Sequence, residues 1–101
     1  MALFTTACLS DLMLDYAVAK CQGDTTFPPR TYSTDWAFGG QILDQERISI
    51  EPFKNTSAWS AFKFDSGDCA VNAPTALVAV MRCYVASKLG SEIDIPDSVG
   101  L

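Results

Sequence analysis

Two stretches of the chain repeat apolar residues at helical spacing, and two shorter ones alternate as strands do. Between Asp11 and Gln22, Met13, Tyr16, Ala17 and Lys20 fall on one stripe and Leu14, Val18 and Cys21 on a neighbouring one. So wide a face predicts a helix packed on more than one side. Ser10 is placed to cap it, Asp11 complements its positive end, and Gly23 supplies a left-handed stop. The second helical stretch follows Asn72 or Ala73 as cap, with Pro74 in its first turn, Lys88 at its negative end and Gly90 as its stop. Leu77, Val78, Val80, Met81, Tyr84 and Val85 cover most of its circumference, which predicts a central, largely buried helix.

The segment between the helices reads as strands and turns. Pro28-Pro29 makes residues 24–30 a loop, and Gly39-Gly40 reads as a tight turn. Residues 41–45 fit either a helical turn or a short strand. Residues 47–51 alternate and end at Pro52, a strand pattern. Lys54 to Ser57 is a turn, and the aromatic run from Trp59 to Phe64 is a second strand antiparallel to the first. Asp65 to Asp68 is a loop, and the tail from Ser91 is short and holds Pro96. The expectation is a small single α+β domain over residues 1–101. Two main helices pack on a short antiparallel sheet, with an extra helical turn after Gly40. Residues 1–9 and 97–101 are expected to fray. A sheet this small leaves edges to cover, so a homo-oligomer is expected as well.

Composition narrows the function classes. Apolar residues make up 49% of the chain, enough for a folded core. Twelve acidic against seven basic side chains give a net charge of −5, which opposes the counterion-release term of nucleic-acid binding. The acids are scattered, so a solvated acidic surface is the simple reading. No apolar run is long enough to span a bilayer, and the first residues lack the basic start of a signal peptide. No membrane association and a cytoplasmic location are therefore expected. There is no histidine, and Cys8, Cys21, Cys69 and Cys83 form no paired motif. This excludes Ser-His or Cys-His nucleophilic sets and argues against a structural zinc site. Free, buried thiols are expected instead, with no metal and no cofactor.

Candidate binding residues cluster in two places. Ser33, Thr34 and Asp35 have side chains that close turns on their own backbone. In a recognition loop, the Asp35 carboxylate would accept from a ribose hydroxyl or base amino group, and Trp36 would stack on a ring. Trp59 would face it, with Phe62 beside it in the core. The helix start around Thr75 offers unpaired amides and a hydroxyl. Arg82 interrupts an otherwise apolar helix. It must snorkel, pair with a carboxylate such as Asp35 or Glu46, or clamp a phosphate. Arg47 is a weaker candidate for the same task.

The segments Ser33-Thr34-Asp35-Trp36-Ala37-Phe38-Gly39-Gly40 and Ala73-Pro74-Thr75-Ala76-Leu77 through Gly90 resemble the phage NinX family. Members carry an STDWAQGG segment and a PLIAAMRCYVASKFG helix, and the resemblance runs from about Ser10 to Pro96. This chain departs from the family pattern at Gln41, Asn72-Ala73 and Ala76, where proline, glycine and a second proline are usual. The resemblance implies a phage or prophage gene and carries no assigned activity. Without a coherent acid, base and nucleophile, the expected function is non-catalytic. The chain would be a counter-defence protein that binds and sequesters a small nucleotide-derived ligand through Ser33, Thr34, Asp35, Trp36, Arg47, Trp59, Thr75 and Arg82. The alternative is an acidic module that docks on a host or phage protein and blocks it.

Overall fold

The computed structural model describes residues 2–6, 9, 11–25, 28–52, 57–63, 71–90 and 92–95. In chain order the elements are β1 (Ala2–Thr5), α1 (Asp11–Gln22), α2 (Trp36–Glu46), β2 (Ser49–Pro52), β3 (Trp59–Phe62), β4 (Val71–Ala73), α3 (Ala76–Leu89) and β5 (Glu92–Ile95). The α+β class holds, with three helices among the described residues and two small antiparallel sheets.

The helix with the most uniform apolar coverage is the hub. From Leu77 to Met81 and from Cys83 to Val85, every residue of α3 is buried. Such all-round burial needs partners on all sides, and α3 meets α1, α2, β2, β3, β4 and β5. α1 presents Leu14, Ala17, Val18 and Ala19 to this core, and Gly23 stops it at φ 72° as its position foretold. Strands β2, β3 and β4 form an antiparallel meander in which Ile50 pairs with Ala61 and Ser60 with Asn72. The expected pairing of the first two of these strands is thus present.

The largest departure is α2. Gly39-Gly40 is no turn: both glycines lie inside a helix that begins at Trp36. Two glycines weaken a helix by about 1 kcal/mol each relative to alanine, which is why they read as a breaker. Packing decides otherwise. A Cβ on Gly39 would overlap the Tyr32 carbonyl oxygen and stand 2.6 Å from Leu77 Cδ1. The helix can approach α3 and the preceding loop this closely only because the side chain is missing. Arg47, expected in the strand, ends α2 in the left-handed conformation at φ 53°, a position where glycine is usual.

Three other boundaries differ from expectation. Thr75, not Asn72 or Ala73, caps α3, so Pro74 precedes the helix and residues 71–73 form β4. Residues 2–5, expected to fray, pair with β5 in the register Ala2 to Ile95 and Phe4 to Ile93. β5 itself was hidden in the tail, although Ile93 and Ile95 are buried while Glu92 and Asp94 are exposed, a clean alternation. Thr6 Oγ1 reinforces this closure by donating to the Gly90 carbonyl at 2.9 Å. The Ser10 cap, the 54–56 turn, the 65–68 loop, Cys8, Cys69 and residues 97–101 lie outside the described residues.

Candidate functional site

The family-like segments meet at one cleft of about 680 Å³, inside the range of about 300–1,000 Å³ typical of small-ligand pockets. The loop before α2 contributes Ser33 and Thr34, the first residue of α2 contributes Trp36, and β3 contributes Trp59. The opposite side is the entry to α3, from Pro74 to Val78. Two smaller depressions, of about 310 and 300 Å³, lie elsewhere on the surface.

Each wall is fixed by local chemistry. Asp35 caps α2, its Oδ1 accepting from the Ala37 amide at 2.9 Å, and this sets Trp36 at the helix start. Trp36 is 52% exposed, a large apolar ring left facing solvent at the cleft. Thr75 Oγ1 accepts from the Val78 amide at 3.2 Å, leaving the Ala76 and Leu77 amides without an intrahelical acceptor. Ser33 is only 2% exposed, and its amide donates to Asp15 Oδ1 on α1 at 2.8 Å. The Ser33 Oγ finds no hydrogen-bond partner among the described residues. A buried polar group left unpaired costs about 1–3 kcal/mol, so this hydroxyl is the anomaly of the site.

Ser33, Thr34, Trp36, Trp59 and Thr75 line the same cleft. Asp35, Arg47 and Arg82 do not line the cleft. Asp35 is engaged as a cap, which matches the turn-closing reading of its sequence. Arg47 ends α2. Arg82 Nε donates to the Leu9 carbonyl at 2.6 Å, tying α3 to the segment before α1. Neither proposed ion-pair partner is engaged with it as expected. Glu46 instead receives Lys63 Nζ at 2.6 Å and Lys88 Nζ at 3.3 Å. The Lys63 hydrogen bond holds the Glu46 carboxyl below its ordinary range, outweighing the opposing effect of burial. Phe62 is half-buried and lies outside the cleft lining.

Sequence reasoning missed Asp15 as a site-positioning residue. Its signal was an acid on the otherwise apolar face of α1, where it is 6% exposed. Pro74 and Leu77, apolar residues at the entry to α3, also form part of the cleft wall.

Nothing in this lining suits acid–base or nucleophilic chemistry. It holds hydroxyls and apolar groups but no ionisable side chain among the described residues. Away from the cleft, burial pushes the Cys21 thiol up to about 11, so it is protonated and unreactive at neutral pH. Cys83 is fully buried in α3. Among the described residues no group of three or more histidine, cysteine, aspartate or glutamate residues is placed to hold a metal, and no helix is long and apolar enough to cross a membrane.

The family model described as Bacteriophage P22, NinX matches residues 26–88, most of the chain and every described residue of the cleft lining. The chain belongs to this NinX family. No catalytic activity is known for the family. No curated protein matches the chain. The match begins after α1 and ends within the last turn of α3. It thus spans both tryptophans, the Asp35 cap and the Thr75 cap, while β1, α1 and β5 fall outside it.

Proposed function

We propose that this NinX-family chain binds and sequesters a small nucleotide-derived ligand in the Trp36–Trp59 cleft, without catalysis, as a phage counter-defence protein in the cytoplasm of the infected host. The observation that carries the reading is the convergence of two indoles, a buried hydroxyl without a partner among the described residues, and a helix N-terminus. Indole faces accept any nucleobase by stacking, and the amides and hydroxyl accept oxygen ligands. The absence of ionisable groups from the described lining favours holding a ligand over transforming it.

The chain contains two tryptophans, and both line the cleft, so intrinsic fluorescence reports on it directly. Titration with a panel of linear and cyclic nucleotides should quench or shift that emission for at least one ligand class. Native mass spectrometry should show the same ligand bound intact, in proportion to subunit number, and would read the oligomeric state as well. Trp36→Ala should weaken binding at least tenfold. A panel that leaves both mass and emission unchanged refutes the reading.

The exposed Trp36 also favours a second reading, a protein-docking module. Exposed tryptophans serve as interface anchors, and the net charge of −5 suits a basic partner. A stoichiometric partner captured by the native chain and lost with Trp36→Ala, in the absence of any nucleotide effect, would select it.

A further inference from the structure

We infer that the cleft selects a ring-bearing ligand with a single negative charge, a phosphodiester nucleotide in chemical class, and rejects polyphosphates. The inference rests on the small-molecule reading above and specifies the charge of the ligand at that same site.

Polyphosphate sites neutralise several charges with Lys, Arg or a metal ion. The described lining of this cleft contains no charged side chain of either sign. The cations among the described residues lie elsewhere. Arg82 donates to the Leu9 carbonyl. Lys63 and Lys88 share Glu46. Arg30 pairs with Asp24 and covers the Phe38 ring. Arg47 lies at the far end of α2 from Trp36, and Lys20 borders a different depression. The overall charge of −5 repels multiply charged anions further.

What the cleft does offer matches one charge. The N-terminus of α3 carries roughly half a positive charge. With Thr75 satisfying the Val78 amide, the Ala76 and Leu77 amides remain for one oxygen group. Ser33 belongs to the same cleft lining, and its buried hydroxyl, without a partner among the described residues, is the independent donor assigned to that group. Two amides and one hydroxyl suit the two non-bridging oxygens of a phosphodiester, while the indoles of Trp36 and Trp59 flank the ring.

The test is fluorescence titration of the full chain with neutral nucleosides, cyclic 3′,5′-monophosphates and triphosphates of adenine, guanine and uracil. For the best base, the cyclic monophosphate should bind at least tenfold tighter than the triphosphate. Ser33→Ala should weaken the cyclic monophosphate several-fold, leave the nucleoside unchanged, and keep or raise the urea midpoint, since it removes an unpaired hydroxyl. Thr34→Lys, at the exposed rim, should raise triphosphate affinity at least tenfold. Triphosphates that bind native protein as well as or better than cyclic monophosphates overturn the charge inference and leave the binding reading standing. No binding by any probe overturns both.

Discussion

The Ser33 amide donates to Asp15 Oδ1 in a buried hydrogen bond of 2.8 Å that fastens the cleft loop to α1. Both residues are nearly inaccessible, at 2% and 6% exposure. Asp15→Ala leaves that amide buried and unpaired and should destabilise the fold by about 2 kcal/mol. Asp15→Asn keeps an acceptor and should lose less. Urea unfolding measures both. Equal losses would mean that carboxylate charge, not acceptance of the amide proton, holds the loop.

The two adjacent glycines of α2 should respond oppositely to alanine. At Gly39 the new methyl meets the Tyr32 carbonyl and the Leu77 side chain, an overpacking expected to destabilise by about 1–3 kcal/mol. At Gly40 the nearest atom is Trp36 Cε3 at 3.4 Å, an ordinary contact. Gly40→Ala should therefore stabilise by up to about 1 kcal/mol through helix propensity. A pair of urea melts decides this. Equal effects at the two sites would refute the close approach of α2 to α3.

Glu46 joins the end of α2 to Lys63 after β3 and to Lys88 in the last turn of α3. Because its carboxyl is held below its ordinary range in the fold, its contribution is present above the unfolded-state value and is lost as pH falls through the folded value. The Glu46 and Lys63 side chains are only 19% and 13% exposed, so solvent screens the pair weakly. Glu46→Gln should lose about 1–2 kcal/mol at pH 7. The gap between native and variant should close as the solution is acidified below the carboxylate range. A pH-independent gap would assign the effect to packing.

Arg82 should act on stability and not on binding. Its Nε bond to the Leu9 carbonyl links residues 73 positions apart. Arg82→Met keeps the apolar stem but leaves that carbonyl unpaired, and should lower stability by about 1.5–3 kcal/mol. Ligand affinity at the cleft should stay within about twofold once measured on the folded fraction. A tenfold loss of affinity with intact stability would return Arg82 to the binding site.

Much of the candidate site was legible because its parts are local signals. The Asp35 turn, the aromatic at Trp36 and the hydroxyl at Thr75 are each set by neighbours within one helical turn. The role of Arg82 was not legible. An arginine on an apolar helix announces that it needs a partner, but a backbone carbonyl 73 residues away leaves no mark in side-chain chemistry. The hydroxyl of Ser33 was likewise visible, while its burial depends on the packing of its loop, which α1 fastens through Asp15.

The sequence by itself determined α1, the buried hub helix α3 and the pairing of β2 with β3, since periodicity and hairpin spacing act over a few residues. Tertiary structure decided the rest. Gly39-Gly40 permits both a turn and a helix, and only the fit against Tyr32 and Leu77 selects the helix. Strands β1 and β5 gain their ladder only when opposite ends of the chain meet, a contact that local propensity does not encode. The cleft exists for the same reason: its walls come from segments that only the packing around α3 brings together.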